Sequence, residues 1–207
     1  MKIIVVGGNG GTGAEVVRIA AGRGHEVVCF SRSGADELPA GAASVHGDAL
    51  DPDAIAKAVA GADAVVVTVG AAKGSPRHRT EVTRSVIGAM HATGVRRSIV
   101  QSSLGAGDSG ALMAAPARLM AKTLLAKPLA DHDAQEAAVF ASGLDWTVVR
   151  PGGLTDKPAT GAVVAQETSE GRPMKSMIPR ADVATHIVDI LDDPTTHGKA
   201  LGLGTAP

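Results

Sequence analysis

Residues 7–13 read GGNGGTG: five glycines, one asparagine and one threonine, set between the β-branched run KIIVV (2–6) and the helix-like stretch AEVVRIAAGRG (14–24). Gly7, Gly10 and Gly13 stand three apart. In a strand–turn–helix context each has a physical task. The first permits a tight turn, the second lets backbone approach a pyrophosphate, and the third lets helix and strand pack closely. The free N–H groups at the helix start, aided by the helix dipole, then form an anion site. EVVCFS (26–31) supplies the second strand that a dinucleotide-binding βαβ unit requires.

Outward from this loop, short apolar runs alternate with amphipathic stretches, the pattern of βα units on a parallel sheet. The strands expected are KIIVVG (2–7), EVVCFS (26–31), SVHG (44–47), DAVVVTVG (63–70), RSIVQSS (97–103) and DWTVVRP (145–151). Several are apolar on both faces, as strands covered on each side should be. The helices expected are 13–23, one from Asp51 through Ala60 with a DPDA start, one striped by Val82, Val86 and Met90 ending at Gly94, one near 132–142 ending at Gly143, and one striped by Val183, Ile187 and Leu191 stopping before Pro194. The expectation is an α/β protein: one doubly wound, mostly parallel Rossmann domain over 1–207, with strand order 3-2-1-4-5-6. Residues 104–130 fit the alternation least well. They read as a packed helix plus loop, as a cover or wall over a substrate site, or as a membrane-surface helix.

The strand ends are where open α/β sheets bind ligands. Ser31-Arg32-Ser33 end the second strand where an NAD site has Asp or Glu; a cation flanked by hydroxyls suits a ribose 2′-phosphate and favours NADPH over NADH. Asp36 and Glu37 follow in the loop and read as solvated. Asp48 can accept from an adenine amino group or cap its own turn. Val69 and Gly70 end the fourth strand, Ser102 and Ser103 the fifth, and Pro151, Gly152, Gly153 and Leu154 follow the sixth. His132-Asp133 reads as a helix-start pair satisfied by backbone, or as one facing the site.

Composition narrows the function. At 207 residues, with 44% hydrophobic and 20% charged residues, the chain can bury a proper core. A formal net charge of −1 gives no reason to expect nucleic acid or an anionic membrane as partner. The single cysteine, Cys29, excludes a disulfide framework and reads as a buried thiol. No secretory signal or spanning segment is legible, so cytoplasmic residence is expected. The histidines do not cluster and no metal motif is present, so no metal is expected. The chain has no tyrosine, two phenylalanines and one tryptophan, so no step can use a tyrosine phenol.

GGNGGTG, SRS, GDALDP, VQSS, SGLDWTVVRPGGLTD and PRADVA together resemble the atypical short-chain dehydrogenase/reductases with an NAD(P)-binding, NmrA-like domain, nearest the flavin reductase/biliverdin-IXβ reductase type. The resemblance implies that Gly7 through Gly13, with Asn9, Gly10, Gly11 and Thr12 between, bind the pyrophosphate. It implies Arg32 and Ser33 at the 2′-phosphate, Asp48 and Ala49 at the adenine, and Val69 and Gly70 along the cofactor. It puts Ser102 and Pro151 to Leu154 near the nicotinamide, and Ser103 in a catalytic or substrate-orienting role. The histidine expected in the later loop falls at Gly153, a departure.

The Tyr-x-x-x-Lys route of mainstream relatives is closed to this chain. Hydride delivery to a flavin, quinone or similar conjugated acceptor remains, because the cofactor carries the difficult step and water can supply the proton. The rival expectation is a non-catalytic NADP(H)-sensing regulator with a protein partner. The sequence leaves the oligomeric state open.

Overall fold

In a computed structural model, residues 1–35, 37–72, 74–169, 171–175 and 177–206 are described, apart from the Lys122 side chain; Asp36, expected to be solvated, lies outside them. The first half follows the βα alternation: β1 (Lys2–Val6), α1 (Gly11–Gly22), β2 (Glu26–Ser31), β3 (Ala42–His46), α2 (Pro52–Val59), β4 (Ala64–Val67), α3 (His78–Thr93) and β5 (Arg97–Gln101). After a short 3-10 turn come α4 (Ala115–Leu124), α5 (Ala126–Phe140), β6 (Asp145–Pro151), β7 (Gly153–Thr155), β8 (Val163–Glu167), β9 (Met177–Pro179), α6 (Arg180–Asp189) and β10 (Lys199–Thr205).

The main sheet runs β3-β2-β1-β4-β5-β6-β10-β8. The expected order 3-2-1-4-5-6 is therefore observed, and two further strands extend it. β10 adds parallel to β6, and β8 closes the edge antiparallel to β10. β7 and β9 pair separately as a small parallel ribbon.

The β-branched central strands bury both faces because side chains alternate across the sheet. Ile3 and Val5 pack with Val16, Val17, Ala20, Val183 and Ile187, which puts α1 and α6 on one face. Ile4 and Val6 pack with Ile55, Val59, Val82, Val86 and Met90, which puts α2 and α3 on the other. Cys29 is fully buried in the first of these layers, and burial pushes its thiol pKa up.

Local chemistry sets the ends of several helices. Asp51 Oδ1 accepts from the N–H groups of Asp53 and Ala54 at 3.0 and 3.3 Å, with Pro52 in the first helical position. Gly94 ends α3 in the left-handed conformation, φ 75°. α5 departs from expectation: it starts at Ala126 rather than near 132 and ends at Phe140 rather than at Gly143. Pro128 falls in its first turn, where a missing N–H costs no intrahelical bond.

Residues 104–130, which fit the alternation least well, are largely helical. Leu104, Ala106, Leu112, Met113, Ala121, Leu129 and Met174 form a third apolar cluster that holds it against the C-terminal half of the sheet. Beneath it, Arg150 of β6 donates to Glu136 of α5 through Nε and Nη2 at 2.9 and 2.8 Å, and through Nη1 to Asp108 at 2.7 Å. This bidentate pair is almost fully buried on both sides and fixes the angle between α5 and the sheet.

Candidate functional site

The strand order reverses between β1 and β4, and a cleft of about 970 Å³ opens at the C-terminal ends of the strands there. Its floor is the glycine loop. Gly7 has φ 86°, a conformation that L side chains rarely adopt. Gly10 leads into α1 with extended backbone and no side-chain cap, and a Cβ placed on it would meet nothing within 4 Å. The loop thus presents open space above a helix N-terminus, the requirement for close approach by an anion. Thr12 Oγ1, buried at this terminus, has no hydrogen-bond partner among the described residues.

Gly7, Asn9, Gly10, Gly11 and Thr12 all line the cleft. Gly13 does not. A Cβ there would overlap the Gly7 carbonyl oxygen and come within 2.5 Å of Thr68 Oγ1, so Gly13 serves the packing of α1 rather than ligand contact. At the end of β2, Arg32 and Ser33 border the cleft, and Asn9 Nδ2 donates to Ser33 Oγ at 2.7 Å, tying the glycine loop to this strand end. Asp48 and Ala49 close the same end; Asp48 Oδ1 also accepts from Leu50 N–H at 3.0 Å, capping its turn. Val69 and Gly70 run along the middle, and Ser102, Ser103, Pro151, Gly152, Gly153 and Leu154 along the far side. Ser103 Oγ donates to the Leu104 carbonyl at 3.3 Å, whereas Ser102 lies deeper, beside His132.

Some cleft residues had no role assigned from sequence. Arg180, at the start of α6, brings Nε to 3.5 Å from where a Cβ of Gly11 would stand, and its Nη1 donates to Asp156 at 2.6 Å. It therefore overhangs the glycine loop; its motif, PRADVA, was visible, but nothing in the sequence related it to that loop. His78, Arg79 and Val82 enter from the first turns of α3, and Leu125, Pro128 and Leu129 from the α4–α5 junction. Of the three readings for residues 104–130, the packed helix plus loop is what the third apolar cluster shows, and Leu125, Pro128 and Leu129 of this stretch line the cleft. The outer face of α4 leaves Leu119, Met120 and Leu124 exposed.

His132 faces the cleft from inside α5, not from a helix start. Its Nδ1 lies 3.2 Å from Gln135 Oε1 and 3.4 Å from Ser102 Oγ, and Gln135 Nε2 donates to Thr83 at 3.0 Å. All four side chains are buried. Burial, reinforced by the nearby Arg79 cation, lowers the His132 pKa to about 4, so the ring is neutral at neutral pH. Asp131, its neighbour, joins α5 to α3: it accepts from Thr80 Oγ1 at 2.7 Å and from the N–H groups of Arg79 and Thr80. Burial alone would raise this carboxyl, but those hydrogen bonds outweigh it and hold the pKa below the usual carboxylate value.

The residues fit a dinucleotide. The open space over Gly10 and the unpartnered Thr12 hydroxyl suit the diphosphate, with Arg180 above, and Arg32 and Ser33 stand at the β2 end of the same cleft. No helix among the described residues is long and apolar enough to cross a membrane.

Comparison with known proteins agrees with this geometry. The family profile described as NAD(P)H-binding matches residues 7–194. Over 215 aligned residues the chain is 28% identical to the uncharacterized sugar epimerase YhfK of Bacillus subtilis (strain 168), covering 98% of this chain and 94% of that protein. It is 40% identical over 111 residues to the 2-alkyl-3-oxoalkanoate reductase of Stenotrophomonas maltophilia (strain K279a), a match spanning 50% of this chain and 33% of the longer relative. Among solved structures, the anaerobillin reductase ChuY of Escherichia coli O157:H7 superposes with a TM-score of 0.82 at 26% identity, covering 99% of this chain and 97% of that one.

Proposed function

The chain belongs to the NAD(P)H-binding family, and from that premise we propose that it is an atypical short-chain oxidoreductase using NADPH to reduce a flat conjugated acceptor of the flavin or quinone kind. The finer kinship with the flavin/biliverdin-IXβ reductase type is part of the proposal; Gly153 stands where that type has a histidine, so no tetrapyrrole-specific role is assigned to the later loop.

One observation carries the reading. Beyond the residues that suit a dinucleotide, the cleft continues along Val82, Leu125, Pro128 and Leu129, with Ser102, Ser103, the Arg79 guanidinium and a neutral His132 among its polar groups. Such a slot can orient a flat apolar acceptor and exclude water, and offers little for acid–base work on an alcohol. When bound, the reduced nicotinamide supplies a hydride, and water supplies the proton that completes the two-electron reduction of the acceptor. The protein's part is to hold the acceptor in that slot, with the Ser102 and Pro151–Leu154 side of the cleft left to the nicotinamide and Ser103 donating to the acceptor.

The choice of NADPH rests on Arg32 at the end of β2, where no carboxylate is present to hold a ribose 2′-hydroxyl. The reductase names of two relatives support the direction of the chemistry. The epimerase name of a third points elsewhere, but a route through a tyrosine phenol is closed to a chain without tyrosine. The test is steady-state oxidation of NADPH with FMN and with simple quinones. Turnover that depends on the acceptor supports the reading; tight NADPH binding with no turnover across the panel overturns it in favour of a sensing role.

A further inference from the structure

Arg79 is the permanent cation of the apolar slot, and its side chain is only 15% exposed. A guanidinium withdrawn from water to that degree is costly unless anions compensate it. Its partner here is Asp131, whose carboxylate is held chiefly by others. Asp131 accepts from Thr80 Oγ1 at 2.7 Å and from the backbone N–H groups of Arg79 and Thr80 at 3.2 Å each, so it caps the N-terminus of α3. The contact from Arg79 Nη1 is the longest of the four, 3.3 Å.

A guanidinium carries five N–H donors in a planar fork suited to two anionic oxygens at once. Among the described residues, Asp131 engages one of them. The neighbouring His132 is neutral and does not compete as a cation. Arg79 lies on the acceptor side of the cleft, because Asp131 and His132 are adjacent on α5 and His132 reaches Ser102 at the end of β5.

We infer that the acceptor carries a permanent anionic group, a carboxylate, sulfonate or phosphate on its conjugated body, and that Arg79 is the specificity-determining residue that receives it. Asp131 keeps the α3 terminus capped whether or not Arg79 turns to a ligand, so the fork can shift at little cost to the fold. The apolar wall takes the body of the acceptor and the guanidinium takes its charge.

The inference rests on the reductase reading above, and the test separates the two by measuring binding as well as turnover. The protein saturated with NADP⁺ is titrated with FMN and with riboflavin, which differ by one phosphate, and flavin fluorescence is followed. The same pair, and a naphthoquinone sulfonate against the unsubstituted naphthoquinone, are then compared as acceptors with NADPH. The anionic member of each pair should be favoured roughly ten- to a hundredfold, the range for a charge-assisted hydrogen bond. That ratio should fall to near unity in Arg79→Gln and largely return in Arg79→Lys, with NADPH affinity unchanged.

Equal handling of the anionic and neutral members by the unmodified protein, a comparison that needs no variant, overturns the inference. So does an Arg79→Gln variant that keeps the ratio or loses NADPH instead. Anion-selective binding without turnover sinks the reductase reading and leaves the assignment of Arg79 standing; turnover without anion preference does the reverse.

Discussion

Two alanine substitutions three residues apart in the same loop should fail in opposite ways, because Gly10 and Gly13 serve different purposes in the structure. A methyl on Gly13 would overlap the Gly7 carbonyl oxygen and lie 2.5 Å from Thr68 Oγ1 and 2.9 Å from the Gly7 carbonyl carbon. These neighbours are backbone and a hydroxyl pinned by its bond to the Val6 carbonyl at 3.2 Å, so α1 must back away from β1 and β4. Overpacking of this kind costs about 1–3 kcal/mol. For a domain of this size that is a melting point lower by roughly 2–12 °C. A methyl on Gly10 meets nothing within 4 Å, and the extended backbone there (φ −164°) suits alanine. Its cost to stability, confined to the helix cap, is at most about 1 kcal/mol.

The order reverses for binding. The Gly10 methyl would stand in the space a pyrophosphate must enter, and losing one charge-assisted contact should weaken NADPH roughly ten- to a hundredfold. Thermal melting without cofactor, paired with titration of NADPH fluorescence, reads both effects. Gly10→Ala should melt close to the parent and bind poorly; Gly13→Ala should melt low. A Gly10→Ala protein with full NADPH affinity, or a Gly13→Ala protein as stable as the parent, would refute the division of labour.

Arg32→Ala should weaken NADPH roughly ten- to a hundredfold and leave NADH within about twofold, since the guanidinium is assigned to the extra phosphate; equal affinity for NADPH before and after the change would remove that assignment. His132 gives a pH signature. Its pKa is lowered to about 4 in the fold against 6.5 for the free side chain, so its contribution is full above about pH 6.5 and is lost as pH falls toward 4, where the unfolded chain takes up the proton first. The size is about 3 kcal/mol at 1.36 kcal/mol per pH unit. His186 is lowered in the same direction, so the contrast is a His132→Gln protein, whose melting point should fall less between pH 7 and pH 4.5; parallel pH profiles would contradict it. Glu136→Gln leaves the buried Arg150 without its bidentate carboxylate and should cost about 3–5 kcal/mol, while Arg150→Met combined with Glu136→Leu should recover much of the loss in chemical denaturation.

The glycine loop, the alternating strands and the central sheet order were legible because each rests on local pattern: β-branched runs, spaced glycines and a capping Asp51. What escaped was decided by tertiary contact. β10 (KALGLGT) is not among the strands expected from the sequence; Gly202 and Gly204 are glycines because Leu112 and Met174 fill the space where their Cβ atoms would lie. β7 and β9 have three residues each, too few for a periodic signal, and β8 is an edge strand without alternation. The same holds at the site. Arg32 and the strand-end residues follow from position in the βα pattern, whereas Arg79, His132 and Arg180 come to the cleft on helix starts and helix faces far apart in sequence. His132 was singled out, but its contacts with Ser102 and Gln135, and the bond from Gln135 to Thr83, exist only in the fold.

The sharpest measurement is a single-turnover reaction: protein saturated with NADPH, mixed anaerobically with excess FMN, with nicotinamide and flavin absorbance followed together. One flavin should be reduced for each NADPH oxidised, more slowly when the transferring hydrogen is deuterium, and the rate should collapse in the Gly10→Ala protein at subsaturating NADPH. NADPH that stays bound and reduced in the presence of FMN and of quinones would contradict the proposed reductase.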